Sequence, residues 1–311
     1  MSRRVGALSA PKLLFGGSVT EQLIISSGVR RVIVVVLDGL RPDAITRFGL
    51  QNVLRLARNG ASTFDARTVS PSVTAAAMGS LLTGAAPSHH GLESERFHIP
   101  RAKGALHPVA HELARCGMPS SGFMAHVPWL IRPLARRIAR TLGLTTVRFR
   151  GNNATQVLEA ARTQLRIQDT GLILLHWADA DRAGHEHGWM SDAYGQAAVA
   201  MDRALGQLMR VVDLSDRSTV MIALADHGGG GRALRHHNSD HPADRTIPVI
   251  FAGGGVRPGT LPAGISLLDV PATILALLGI PRPASYAGQS LVPRGMMASP
   301  PAVPLAAASA A

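Results

Sequence analysis

The chain has 311 residues, of which 46% are hydrophobic, so it is long enough and apolar enough to form a sizeable core. Its single cysteine, Cys116, excludes an internal disulfide, a cysteine-based zinc site and an iron–sulfur cluster. The formal net charge of +12 favours anionic partners, but only 4% of the residues are aromatic, which leaves few stacking platforms for nucleic acid. The charge does not choose among phosphate esters, nucleotides, nucleic acid and an acidic membrane surface, although we expect no specific binding of nucleic acid.

The two ends of the chain differ in composition from the middle. Residues 1–30 are predicted to be an N-terminal extension whose apolar run is broken by proline, lysine and glycine, unlike a secretory signal. Residues 296–311 are predicted to be a low-complexity tail. No stretch reaches the roughly 18 apolar residues that a membrane span needs. We expect a cytoplasmic protein with a single domain over residues 31–295.

The first predicted element is a strand in the run Val32–Gly39, where β-branched residues are followed by Leu37, Asp38 and Gly39. An uninterrupted apolar run that ends at a turn residue is typical of a strand buried on both faces of a parallel sheet. Asp38 is then at the carboxyl end of this strand, the edge at which open α/β sheets bind ligands. A turn or helix-capping aspartate is the alternative for this position.

A second candidate residue lies in the segment Ser70–Gly91. Ser70–Ser72 predict a turn, and an alanine-rich helix is predicted from Thr74 to a stop at Gly84. Thr74 is thus at a helix N-terminus, where free N–H groups and the helix dipole favour anions. Its hydroxyl could be a nucleophile, and an ordinary N-cap is the alternative.

Strands and helices alternate through the rest of the chain, which predicts an α/β fold with a largely parallel sheet flanked by helices. The helix at 130–142 carries four arginines, which indicate a solvated helix face or a phosphate- or membrane-facing surface. The further strands are expected near 61–68, 120–125, 172–175, 218–225 and 247–252, and the further helices near 53–58, 107–115, 152–167, 190–212 and 267–278.

Residues of the kind that bind metals follow two of these strands. Carboxylates and imidazoles together suit Zn²⁺ or Mn²⁺, and three of each are enough for two ions. Two neighbouring ions can hold the attacking and the leaving oxygen of an in-line displacement, and they would activate a threonine hydroxyl between them. The candidates are Asp179, Asp181, His185 and His187 after 172–175, Asp226 and His227 directly after 218–225, and His241 further along the same loop.

Five motifs together resemble the alkaline phosphatase superfamily, and in particular its type I phosphodiesterase/nucleotide pyrophosphatase branch. They are LDGLRPD at 37–43, SPSVTAAAMGSLLTG at 70–84, DRAGH at 181–185, ADHGG at 225–229 and DHPADRTIP at 240–248. The resemblance covers residues 31–291 and implies a three-layer sandwich with a mostly parallel central sheet. It also implies two metal sites, one made by Asp38, Thr74, Asp226 and His227, and the other by Asp181, His185 and His241.

The chain departs from that branch at two positions. The residue after the nucleophile is usually an aromatic that helps to hold a nucleobase, and here it is Ala75. The asparagine that usually follows the His-Gly turn is absent from the stretch LESER after Gly91. His241 is preferred as the last ligand because it lies just ahead of a predicted strand, with His236 and His237 as alternatives.

The resemblance implies a hydrolase of phosphate diesters or related anionic esters, with Thr74 as nucleophile and two divalent ions, zinc before manganese. A phosphatase, a phosphonate hydrolase, a sulfatase-like hydrolase or a phosphoryl-group transferase would use the same groups. The sequence lacks the C/S-x-P-x-R motif of formylglycine sulfatases. A non-catalytic protein that binds metals or anions is the alternative from another class. The sequence leaves the oligomeric state open.

Overall fold

The computed structural model describes residues 23, 28–95, 98–144 and 146–293. Most of the predicted N-terminal extension, residues 1–30, lies outside these residues, and so does the whole predicted tail at 296–311. Leu23 is fully buried, and its N–H donates to the carbonyl of Leu291 at 2.8 Å. At least this part of the extension therefore packs on the domain.

The described residues alternate between strands and helices, as the sequence predicts. In chain order they form β1 (Arg31–Leu37), α1 (Pro42–Arg47), α2 (Gln51–Arg58), β2 (Ala61–Arg67), α3 (Thr74–Thr83), α4 (Pro87–His90), α5 (Val109–Arg115), β3 (Ser120–Met124), α6 (Arg132–Thr141), β4 (Thr146–Phe149), α7 (Ala154–Ile167), β5 (Gly171–Trp177), α8 (Asp179–His187), α9 (Asp192–Val211), β6 (Thr219–Leu224), α10 (Pro242–Arg245), β7 (Thr246–Gly253), β8 (Gly259–Thr260) and α11 (Asp269–Leu277).

The strands form one 8-stranded sheet in the order β4-β3-β5-β1-β6-β7-β2-β8. β1 lies near the middle and pairs in parallel with β5 and β6, so that Val34 is opposite both Leu174 and Ile222. β7 runs antiparallel to both of its neighbours, β6 and β2. The predicted mostly parallel α/β sheet is confirmed, and the carboxyl ends of β1, β5 and β6 meet at one edge.

The apolar sequence of β1 explains its central place. Residues 32–37 are each at most 2% exposed, as expected for a strand covered on both faces. α7 and α5 both pack on β3 and β5, α2 and α9 extend the layer of α7, and α3 and α11 extend the layer of α5. None of the helices in the described part of the chain combines the length and the apolar character needed to cross a bilayer.

One element differs from the sequence prediction in a way that concerns the site. The sequence predicts no helix directly after β5, but this segment forms the nine-residue helix α8. Asp179 and Asp181 lie in its first turn, and His185 and His187 lie in its last turn. The two aspartates in the first turn complement the helix dipole, and the i, i+4 spacing puts Asp181 and His185 on one helix face.

Candidate metal-dependent active site

The backbone around Gly39 brings three aspartates together at the carboxyl edge of the sheet. The Gly39 N–H donates to Asp226 Oδ1 at 3.3 Å, and the Asp181 N–H donates to the Asp38 carbonyl at 3.1 Å. Gly39 has φ +72°, and a Cβ there would lie 2.8 Å from Asp181 Cα. The two chain segments can approach this closely only because residue 39 is glycine.

The three aspartates are poorly compensated by the rest of the protein. Asp38 and Asp226 are 2% and 0% exposed, and neither they nor Asp181 forms an ion pair with a lysine or arginine of the described residues. Asp38 Oδ1, Asp181 Oδ1 and Asp226 Oδ2 lack hydrogen-bond partners among those residues. Unpaired buried carboxylates are costly, so oxygens left free in this way fit a bound cation.

The pKa values reflect this burial. Burial raises the pKa of the Asp38 carboxyl well above its usual value, and the charges of Asp226 and Asp181 add to the rise. Burial likewise raises the pKa of Asp181, against the opposing effect of His227 and His185. Burial also acts to raise the pKa of Asp226, but the effects of His227 and His176, together with hydrogen bonds to this carboxyl group, outweigh it and the net shift of the pKa is downward.

Three imidazoles face these carboxylates in one consistent orientation. The Nδ1–H groups of His185, His227 and His237 donate to the carbonyls of Arg235, Gly228 and Ser72 at 2.9, 2.8 and 2.6 Å. Each histidine thereby turns its Nε2 lone pair toward the aspartates. Histidines that bind metals in proteins usually hold their second nitrogen in this way.

The spacing of these nitrogens also fits metal binding. His185 Nε2 and His237 Nε2 lie 3.1 Å apart, although both are acceptors in this tautomer. Two nitrogens bound to one tetrahedral zinc ion at about 2.0 Å would lie about 3.3 Å apart. Burial lowers the pKa of His237 to about 3, so its imidazole is neutral near pH 7.

The first of two neighbouring groups of ligands contains Asp38, Asp226 and His227, whose ligand atoms lie within 4.8 Å of one another. Thr74 Oγ1 lies 3.1 Å from His227 Nε2. Thr74 is the first residue of α3, and Val73 occupies the N-cap position. The Thr74 side chain therefore is not an N-cap, and its hydroxyl points to this group of ligands instead.

The second group contains Asp181, His185 and His237. Asp181 Oδ1 lies 3.5 Å from His185 Nε2 and 3.7 Å from His237 Nε2. The two groups adjoin, since His227 Nε2 is 3.9 Å from Asp181 Oδ1. The donor atoms thus suit two divalent cations side by side.

The structure corrects the choice of the last histidine. His241 is exposed, and its Nδ1 accepts the Ala243 N–H at 3.1 Å, which caps the short helix α10. Two hydrogen bonds with Ser72 hold His237 in the site. The His237 Nδ1–H donates to the Ser72 carbonyl, and the Ser72 hydroxyl donates to the His237 carbonyl. These contacts join distant parts of the chain, so no local pattern indicated them.

The neighbouring polar residues of α8 have other positions. The Asp179 carboxylate accepts the Ala154 N–H at the start of α7, with distances of 3.2 and 3.0 Å to its two oxygens. His187 is exposed beside Glu186, and the two side chains are 3.6 Å apart. Of the four candidate residues on α8, Asp181 and His185 thus lie in the second group of ligands, whereas Asp179 and His187 have other contacts.

Two residues near the site were not singled out from the sequence. His176 Nε2 lies 3.2 Å from Asp38 Oδ2, and burial lowers the pKa of this imidazole. A histidine inside the apolar run of β5 was the available signal for it. Glu95 Oε1 lies 3.6 Å from His237 Nε2 and belongs to the stretch in which the usual asparagine is missing.

Comparison with known proteins gives matches on sequence and on structure. Residues 32–241 match the family model described as type I phosphodiesterase / nucleotide pyrophosphatase. The catalytic subunit of human GPI ethanolamine phosphate transferase 2 is 24% identical over 85% of this chain and 28% of its own length. A 2,3-bisphosphoglycerate-independent phosphoglycerate mutase from Cellvibrio japonicus is 34% identical over 39% of this chain and 23% of its own length. The chain thus spans about a quarter of the length of these curated relatives.

Solved structures share the fold at low sequence identity. A Vibrio parahaemolyticus protein of the alkaline phosphatase superfamily has a TM-score of 0.68 at 15% identity, covering 93% of this chain and 78% of its own. Murine ectonucleotide pyrophosphatase/phosphodiesterase 5, in an inactive form with AMP, has a TM-score of 0.63 at 14% identity, covering 81% and 95%. Because the family model spans the segments that supply the aspartates, Thr74 and the histidines described above, the chain belongs to the type I phosphodiesterase/nucleotide pyrophosphatase family.

Proposed function

We propose that the protein is a two-metal hydrolase of phosphate diesters or related anionic esters, with Thr74 as the nucleophile. One observation carries this proposal. Three imidazoles keep their Nδ1–H groups on backbone carbonyls and turn Nε2 toward three carboxylate oxygens that lack partners among the described residues. Such a set of donors suits borderline divalent ions, zinc before manganese.

The residues divide between two ions. When bound, the ions would supply positive charge that stabilises the transferring phosphoryl group and favours the ionised threonine hydroxyl. The first set of ligands is Asp38, Thr74, Asp226 and His227, and the second is Asp181, His185 and His237.

The chain's own groups then have separate tasks. Thr74 Oγ1 attacks phosphorus, the ester P–O bond breaks, and the alcohol leaves after taking up a proton. Water next attacks the phosphorylated threonine, which releases the phosphoryl product and restores the hydroxyl. The first N–H groups of α3 have no acceptor within the helix, so they can donate to the phosphoryl oxygens.

The molecule that accepts the phosphoryl group in the second step determines whether the enzyme is a hydrolase or a transferase. An alcohol in place of water in the second step would give phosphoryl-group transfer with the same residues. The human relative is named as an ethanolamine phosphate transferase, which makes an alcohol acceptor worth including in the assay.

The test replaces Thr74 and measures turnover, metal content and stability together. Thr74→Ser should keep measurable activity because it keeps a hydroxyl. Thr74→Ala should lose at least about 10³-fold in kcat while the protein stays folded. Thr155→Ala is the matched control, because Thr155 is an exposed threonine in the first turn of α7.

The substrates are nitrophenyl esters: a phosphate monoester, a phosphate diester, a phosphonate monoester and a sulfate, each with and without added alcohol. A metal-loaded Thr74→Ala protein that hydrolyses the best ester at the wild-type rate would exclude Thr74 as nucleophile. Purified protein with less than one ion per chain, and no gain on adding Zn²⁺ or Mn²⁺, would exclude the two-metal proposal.

A further inference from the structure

A chamber of about 430 Å³ opens beside Thr74 and continues away from the ligand groups. His176, His185 and His237 line the end at Thr74, so the chamber is continuous with the candidate active site. Its volume lies within the range of sites that hold small molecules. Apolar side chains form most of the remaining wall, among them Met78, Leu82, Met124, Ile138, Leu142 and Phe149.

One face of α3 connects the nucleophile to this apolar space. Thr74, Met78 and Leu82 are four residues apart, so their side chains follow one another along a single helix face. Met78 and Leu82 are both buried. A ligand with its phosphoryl group at the Thr74 hydroxyl would therefore meet only apolar side chains further along α3.

Another part of the wall comes from α6, the arginine-rich helix. Its residues Ala135, Ile138 and Ala139 line the chamber, whereas Arg136 and Arg140 are exposed. The helix thus presents a charged face to solvent and an apolar face to the chamber. Alanine side chains are small, so Ala135 and Ala139 take up little of the chamber.

We propose that the substrate is an amphiphilic phosphoester, with its phosphoryl group at Thr74 and a flexible alkyl or acyl chain of one ester group lying in the chamber. This inference rests on the proposed hydrolase function and adds the substrate class. The charge pattern supports it, because the end at Thr74 suits an anion and the rest of the chamber offers apolar surface.

The lining favours a chain over a flat, polar ring such as a nucleobase. A nucleobase needs stacking partners and hydrogen bonds to its edges. Among the described residues of the lining, Phe149 is the one phenylalanine, tyrosine or tryptophan. Glu95 lies at the imidazole end, 3.6 Å from His237. Away from that end, the charged or imidazole side chains of the described lining are His98 and His126, and neither is buried.

Binding measurements test the proposal without turnover. Methyl-, butyl- and octylphosphonate are titrated by calorimetry into the metal-loaded full chain, with AMP as a polar comparison. Each methylene that enters the chamber should raise the affinity about fourfold, equivalent to about 0.8 kcal/mol. We expect octylphosphonate to bind more than about 100-fold tighter than methylphosphonate, and tighter than AMP.

Two matched variants locate the effect. Ile138→Trp puts an indole into the chamber and should abolish the dependence on chain length. Ile167→Trp makes the same substitution at a residue that is 68% exposed at the end of α7, and it should leave the dependence unchanged. If Ile138→Trp does not fold, the affinities of the wild-type protein for the three phosphonates still test the proposal.

The outcomes separate this proposal from the hydrolase proposal. Equal affinity for all three phosphonates, as expected if another part of the chain or a second copy fills the chamber, would overturn it. Equal kcat/KM values for methyl and octyl nitrophenyl phosphate diesters would also overturn the chamber proposal. That result would leave the hydrolase proposal intact. A steep chain-length dependence without turnover of any ester would support the chamber and refute the hydrolase.

Discussion

Replacing His237 by alanine should remove one of the two proposed metal ions and leave the other in place. The side chain is 2% exposed, donates to the Ser72 carbonyl at 2.6 Å and stacks on His227 with ring centres 3.9 Å apart. The lost hydrogen bond and the unpaired carbonyl cost about 1–3 kcal/mol, and the lost stacking about 1 kcal/mol. We therefore expect metal-free His237→Ala to be about 2–4 kcal/mol less stable than the metal-free wild type.

His241→Ala is the control, since it removes a nearby histidine that only caps α10. Losing the acceptor for the Ala243 N–H should cost about 1 kcal/mol and leave the metal content unchanged. Elemental analysis of protein purified without chelator gives ions per chain, and urea unfolding of chelated protein gives the stability. If His241→Ala loses an ion while His237→Ala keeps two, our placement of the second site is wrong.

Two further predictions concern single residues near and away from the site. Asp179→Ala should keep both ions and cost about 1 kcal/mol of stability, because the Asp179 carboxylate accepts the Ala154 N–H at the start of α7. Asp181→Ala should lose an ion. If elemental analysis shows the opposite pattern, our choice of Asp181 over Asp179 as the ligand from α8 is wrong. His90 is 0% exposed, its Nδ1 accepts the Leu92 N–H at 3.1 Å, and burial lowers its pKa to about 4. The unfolded chain binds this proton below about pH 6.5 and the native state only below about pH 4, so native stability should fall by up to about 3 kcal/mol as the pH drops through this window. Thermal unfolding between pH 7.5 and 4.5 should show a shallower loss for His90→Gln than for the wild type, with the exposed His111→Gln as control, and equal slopes for all three would contradict the assignment.

The fold was predictable because its central strands carry strong local signals. β1, β5 and β6 are mostly apolar strands of six or seven residues, and they end shortly before Asp38, the α8 segment and Asp226. Parallel pairing then puts those ends at one sheet edge. The shorter strands were harder, because β4 alternates exposed and half-buried residues and β8 contains two residues.

The sequence indicates the candidate ligands that directly follow strands. It does not single out the last histidine, which lies in the loop between β6 and α10. Between β6 and α10 the chain is mostly irregular, and the choice of His237 depends on its contacts with Ser72, 165 residues away in sequence. The chamber has no pattern of its own, because its walls come from α3, α6 and the ends of β3 and β4. Such features depend on tertiary contacts, which periodicity and spacing do not contain.

The main-chain contact at Gly39 fixes the positions of the two proposed metal sites relative to each other. The Gly39 carbonyl accepts hydrogen bonds from Trp189 Nε1–H at 3.0 Å and from the Tyr194 hydroxyl at 2.9 Å. Two buried aromatic side chains thus hold the Gly39 backbone in place. The separation between the backbones of Asp38 and Asp181 is thus fixed by a contact between main chains and does not require the ions to set it. Exchanging one metal for another, or engineering a preference between them, would have to act through side chains within this rigid spacing, because no residue larger than glycine fits at position 39.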